Sequence, residues 1–220
     1  MKTKDEQIKK TVVDMLYWDS RVDASDIHVE VTDGEVTLRG TVPSYAVKEA
    51  ALFDTWKVPG VKKVNNNSFV KFPSTAKTLT DSEIEKSIKK QLEWNDSTSN
   101  ENIHVTVKKG VVTLEGHVDA YWKTFRAQQI ISDVIGVVDI DNKLAVVPTE
   151  TITDQVIATD IVNAMDRSYA VNTDDVNVEV EDGIVTLSGT MLTRASYDAA
   201  LECAFNTFGV KDVKDRLHLK

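Results

Sequence analysis

The feature that most constrains this chain is a sixteen-residue pattern that occurs three times. Its first occurrence runs Ile27-His28-Val29-Glu30-Val31-Thr32-Asp33-Gly34-Glu35-Val36-Thr37-Leu38-Arg39-Gly40-Thr41-Val42, two alternating apolar and polar stretches joined at Asp33-Gly34. Alternation with period two puts successive side chains on opposite faces of a strand. Asp-Gly supplies the residues that a two-residue hairpin turn needs. The pattern returns from Ile103 to Val118 around Gly110, and from Val176 to Met191 around Asp182-Gly183. Repetition outranks any single motif, so the chain reads as three copies of one unit.

Each copy opens with an acidic residue at a helix start, Asp5, Asp81 and Asp154, where a carboxylate suits the positive end of the helix dipole. Thr80 with Glu83 adds a capping box in the middle copy. Apolar residues follow at steps of four, Ile8, Val12, Leu16; Ile84, Ile88, Leu92; Ile157, Ile161, Met165, and make one buried stripe on an amphipathic helix. Beyond the hairpin, residues 44–58, 120–135 and 193–207 read as a second helix, with small residues at Ala51, Ala127 and Ala200. Gly60, Gly136 and Gly209 read as its left-handed C-terminal caps. A third strand carries Val61, Val64 and Val70 and their counterparts; Asn66, Asn142 and Asp215 interrupt its alternation and predict a bulge or bend. Gly40, Gly116 and Gly189 fall at inward strand positions, where a missing side chain predicts close approach of a helix. Together with Gly34, Gly110 and Gly183 in the turns, these glycines are read as structural.

The predicted fold class is therefore α+β: three tandem αββαβ units, each with two helices on one face of a three-stranded mixed sheet. The helical connection between second and third strands makes the last strand parallel to a hairpin strand. Equivalent glycines step by 76 residues and then by 73, so the copies keep their internal length while the connectors differ. The expected domains are 3–72, 79–148 and 152–220. Each is near the size at which one hydrophobic core is marginal, which predicts that the copies lean on one another.

Charge narrows the functions. The net charge of −9 is graded, at 0 over residues 1–76, −3 over 77–150 and −6 over 151–220. Such a chain gains little from counterion release, which disfavours nucleic acid as a partner. The opening Met1-Lys2-Thr3-Lys4-Asp5 has no apolar segment behind it, and Cys203 is the sole cysteine, far from the N-terminus. The expectation is a cytoplasmic chain as written, or a periplasmic one if a leader was removed.

The residues offer little chemistry. His28 and His104 take equivalent outward strand positions, and neither they nor His117 and His218 have ligand partners at metal spacing. Cys203 lies on the third copy's second helix with no histidine near it, so a semi-buried thiol is expected. No catalytic residue, metal site, cofactor or small-molecule substrate is predicted. The candidate surface-binding residues are Trp56, Lys57, Lys62 and Lys63 in the first copy and Tyr121 and Trp122 in the middle one, where aromatic and basic side chains stand together. Trp18 and Trp94, matched at the ends of the first helices, are expected to pack.

Asp33-Gly34, the Val36 to Val42 stretch around Gly40, and Gly60-Val61, with their counterparts in both later copies, resemble the BON family, named for bacterial OsmY and nodulation proteins. The resemblance spans nearly the whole chain as three tandem modules. It implies a non-enzymatic bacterial envelope or stress protein that binds phospholipid surfaces or protein partners. The alternative is a holdase-like chaperone with exposed apolar surface.

Overall fold

The computed structural model describes residues 3–75 and 79–220; Met1, Lys2 and the Ala76-Lys77-Thr78 part of the first connector lie outside the described residues. The first copy consists of α1 (Lys4–Trp18), β1 (Ile27–Thr32), β2 (Glu35–Val42), α2 (Tyr45–Trp56) and β3 (Lys63–Val70). The middle copy repeats this as α3 (Asp81–Trp94), β4 (Asn102–Lys108), β5 (Val111–Val118), α4 (Tyr121–Ser132) and β6 (Asp139–Val146). The third comprises α5 (Asp154–Asp166), β7 (Val176–Glu181), β8 (Ile184–Met191), α6 (Arg194–Phe205) and β9 (Asp212–Leu219), with a 3₁₀ turn at Thr173–Asp175. The fold is α+β, with three mixed three-stranded sheets, each centred on the second strand of its copy. By tertiary contact the chain forms two compact units, one of residues 1–89, 106–113 and 130–141, the other of 90–105, 114–129 and 142–220.

In the first copy β2 runs antiparallel to β1 and parallel to β3, and β8 relates to β7 and β9 in the same way. The first core joins Ile8, Val12 and Leu16 of α1 to Val29, Val36 and Leu38 of the sheet and Ala51 of α2. Ile157, Ile161, Met165, Val185, Leu187 and Ala200 do the same in the third. The hairpins turn through Asp33-Gly34, Lys109-Gly110 and Asp182-Gly183, both residues of each pair having positive φ, as a two-residue turn requires.

The acidic residue at each first helix does more than face a dipole. The Asp5 carboxylate accepts from the Asp33 and Gly34 N–H groups at 2.8 and 3.1 Å, Asp81 from Lys109 and Gly110 at 2.8 and 2.9 Å, and Asp154 from Asp182 and Gly183 at 2.9 and 2.8 Å. The carbonyls of Gly34, Gly110 and Gly183 accept from Lys62, Val138 and Lys211, each at 2.9 Å. Helix start, turn and third-strand entry are thus one hydrogen-bonded corner in every copy. The capping box at Thr80 and Glu83 is present, with bonds of 2.8 and 3.3 Å.

Three local expectations are corrected. First, what crowds Gly40 is not a helix: a Cβ there would lie 1.8 Å from the Asp26 carbonyl oxygen, and at Gly116 and Gly189 it would lie 2.0 Å from the Asn102 and Asp175 oxygens. The backbone entering the first strand runs alongside at these points, with Ile27 opposite Gly40 and Val176 opposite Gly189. Second, α2 ends at Trp56 with Lys57 as its cap, so Gly60 is not the cap. A tight turn, closed by the Val61 N–H on the Val58 carbonyl at 3.2 Å, places Gly60 at the bend into β3. Third, β3 and β9 run in unbroken register through Asn66 and Asp215, with no bulge. The half-buried asparagines face the second helix because they have partners there. Asn66 Nδ2 donates to the Lys48 carbonyl at 2.8 Å, and Asn142 Nδ2 to that of Thr124 at 2.9 Å. Asp215 has no such donor, and the equivalent helix position becomes Tyr197, whose hydroxyl donates to the Asp215 carboxylate.

Candidate interaction site

The stripe that buries α1 determines what it leaves outside. Leu16 is the last residue of the stripe, so Trp18, two positions on, turns away from the core. Trp18 is 80% exposed and its matched residue Trp94 77%, which overturns their expected packing. The Tyr17 ring stands edge-on to Trp18 at 5.4 Å between centroids, and Lys90 Nζ lies 4.3 Å from the Trp94 ring centre. In the third copy Arg167 takes the matched position, and fully exposed Tyr169 follows two residues later. The first helices of the first two copies therefore end in an exposed tryptophan, and the third copy carries an exposed tyrosine three residues beyond its helix.

The six residues singled out from sequence do not form one patch. Trp56 is half-buried against the first core. Lys57 is exposed, bonded to Asp54 at 2.9 Å, and lies 4.1 Å from the centre of the Phe53 ring. Phe53, which sequence reasoning passed over, is the more exposed aromatic of this helix end. Lys62 and Lys63 are exposed at the entry to β3, with Lys63 3.9 Å from Glu35. Tyr121 is half-buried: its ring centre is 5.4 Å from those of Phe125 and of Phe205 on α6. Trp122 remains partly exposed, with Lys123 Nζ 5.9 Å from its ring centre.

Beside Trp18 and Phe53 lies a charged cluster. Arg21 bonds Asp19 through its side chain and backbone and holds that carboxyl well below the usual carboxylate range. Asp54 is buried, and its Oδ2 has no hydrogen-bond partner. Burial, together with the nearby Asp19, pushes its carboxyl up against the opposing pull of Lys57. Arg21, 3.8 Å from Asp54, ties the segment after α1 to the end of α2.

A cleft recurs at the hydrogen-bonded corner of each copy. It measures 220 Å³ beside Asp5, Gly34 and Gly60, 300 Å³ beside Asp81, Gly110 and Gly136, and 690 Å³ beside Asp154, Gly183 and Gly209. Its carboxylate is already committed to the turn amides. Among the described residues no three His, Cys, Asp or Glu side chains gather around a point where a metal would sit. His28, His104, His117 and His218 are all exposed, and the half-buried Cys203 has its thiol pushed up by burial.

The BON domain model matches residues 4–70, 80–148 and 153–220. The chain belongs to the BON domain family. Osmotically-inducible protein Y of Escherichia coli (strain K12) is 31% identical over 148 residues, 64% of this BON chain and 74% of the relative. Among solved structures, CdsD, a structural protein of the type III secretion system of Chlamydia trachomatis, aligns over 98% of the chain and 91% of its own, at 14% identity and a TM-score of 0.28. The CdsD C-terminal domain aligns over all of both chains at 14% identity and a TM-score of 0.27. Neither structural likeness is high enough to bear on function.

Proposed function

We propose that this BON chain is a non-enzymatic bacterial stress or envelope protein that docks on phospholipid surfaces or on protein partners. The observation that carries the reading is the exposed aromatic repeated at the ends of α1 and α3, Trp18 and Trp94. An exposed indole beside a lysine, as at Trp94 and Lys90, suits the boundary between lipid headgroups and acyl chains. The similarity to osmotically-inducible protein Y supports a stress setting. No helix among the described residues is long and apolar enough to cross a membrane, which fits docking rather than spanning.

Flotation with liposomes tests the membrane half of the reading. Trp18→Ala with Trp94→Ala should lower the lipid partition constant by about tenfold per residue, the factor for roughly 1.5 kcal/mol of apolar surface lost from the lipid. Circular dichroism should not change, because both rings lie outside the cores. Absence of flotation with and without anionic lipid overturns membrane docking and leaves protein partners. Fractionation of cells then separates a cytoplasmic pool from a periplasmic one. The holdase reading is favoured by exposed Phe69, Ile135 and Leu192, and suppression of a client's aggregation at near-equal ratio tests it.

A further inference from the structure

Asp54, in the last turn of α2, is a charge that the fold does not require. The steps of 76 and 73 residues put Ile130 and Cys203 at its place in the later copies, so an aliphatic side chain or a thiol serves there. Its side chain is 4% exposed. Oδ1 accepts from Lys57 Nζ at 2.9 Å and lies 3.8 Å from the Arg21 guanidinium, while Oδ2 is buried with no hydrogen-bond partner among the described residues. From the segment after α1, Asp19 accepts from Arg21 Nε through both oxygens at 3.0 Å and also reaches the Asp54 carboxyl. On α1 itself Lys10 and Asp14 pair with each other at 3.3 Å. Asn95 and Ser168 stand where Asp19 does, and Ser97 and Ala170 where Arg21 does, so the cluster belongs to the first copy alone.

Two ionised carboxylates offer only acceptors, so a hydrogen bond between them needs a proton on one. Burial pushes the Asp54 carboxyl up, and Arg21 holds that of Asp19 well below the usual range, so the proton goes to Asp54. Without it the charges of Asp19, Asp54, Arg21 and Lys57 cancel. With it they leave one net positive charge, and that charge sits beside exposed rings. Trp18 precedes Asp19 and Phe53 precedes Asp54 in the chain, both rings are exposed, and Lys57 Nζ lies 4.1 Å from the Phe53 ring centre. One added positive charge at an anionic bilayer surface strengthens binding by about fivefold.

We propose that Asp19 and Asp54 share one proton and that this proton gates docking of the surface around Trp18 and Phe53 on anionic phospholipid, an inference that rests on the membrane half of the docking proposal. Docking strengthens when the proton is held and weakens as pH rises and it is lost. The probe is vesicles of phosphatidylcholine with an equal part of phosphatidylglycerol, titrated at low salt from about pH 4 to about pH 8. Asp54→Asn is uncharged throughout and can donate to Asp19. It should bind about fivefold tighter than the unaltered chain at the upper end, with the gap closing toward the acid end and absent on pure phosphatidylcholine. Asp54→Ile, which carries the middle copy's residue, should bind like Asp54→Asn if charge is the cause. Carboxyl NMR reads the shared proton without lipid: the Asp19 signal should shift at the Asp54 midpoint, and that step should vanish in Asp54→Asn. If the unaltered chain and the variants all bind anionic vesicles with parallel pH profiles, or Asp19 shows no step at the Asp54 midpoint, the proton gate is overturned while docking stands. Binding by none of them at any pH overturns membrane docking and the gate together.

Discussion

Removing the Asp154 carboxylate should detach the β7–β8 turn from α5. The carboxylate holds two backbone N–H groups, at 2.9 and 2.8 Å, across 28 and 29 residues of chain. A hydrogen bond to a charged group contributes about 1.5–3 kcal/mol when well shielded. Here Asp182 is exposed, Gly183 buried and the carboxylate half-buried, so water screens part of the charge and reaches the freed Asp182 amide more readily than that of Gly183. About 1 kcal/mol per bond is the appropriate figure. The carboxylate at the helix start adds about 0.5 kcal/mol. Asp154→Ala should therefore cost about 2–2.5 kcal/mol, which for a domain of this size lowers Tm by roughly 10–15 °C. Asp154→Asn, which keeps one acceptor oxygen, should fall about halfway. The assay is thermal and urea denaturation followed by circular dichroism, with the third copy's transition resolved from the others. A loss below about 0.5 kcal/mol in Asp154→Ala would show that water replaces the carboxylate at no cost, and the corner would lose its place in the stability argument.

Gly116→Ala should cost more than about 3 kcal/mol, because the new methyl meets a backbone carbonyl that cannot rotate away and the residue sits at positive φ; a middle copy that still melts cooperatively at the original temperature refutes this. Asp54→Asn should change the pH dependence of the first copy. In the native state Asp54 keeps its proton to a higher pH than in the unfolded chain, so its contribution is present below the ordinary carboxylate value and is lost as pH rises through the raised one. Asp19 acts in the opposite sense, its contribution being present above that ordinary value and lost as pH falls. The asparagine variant should keep the acid-side loss and abolish the fall on the other side, gaining about 1 kcal/mol near neutral pH by relieving a buried, unpartnered oxygen. Urea midpoints measured against pH check this, and superimposable profiles refute it.

The hairpins, helical stripes and sheet order are legible in the sequence because they follow local periodicity and backbone punctuation. The exposed tryptophans were misjudged as packed, although Trp18 lies two positions past Leu16, off the step of four that defines the stripe. The role of Asn66 was not legible, since its partner is the Lys48 backbone carbonyl, and a polar residue in an apolar strand then looks like an interruption. The close backbone at Gly40 was hidden for the same reason, its neighbour being the Asp26 carbonyl. Tyr121 looked like a surface aromatic because Phe205, which covers it, belongs to another copy. Periodicity within one unit carries no information about that contact.

The bond between Tyr197 and Asp215 sets a rule for anyone recombining these modules. Moving β9 alone would set its acid beside Lys48 in the first copy, and in the middle copy beside Thr124, whose hydroxyl already donates to the Tyr121 carbonyl at 2.7 Å. Moving α6 alone would set a phenol against an amide already turned toward a main-chain oxygen. Crossover points that keep a second helix and its following strand from the same parent should yield folded chimeras. Those cut between the two should fold with lower stability.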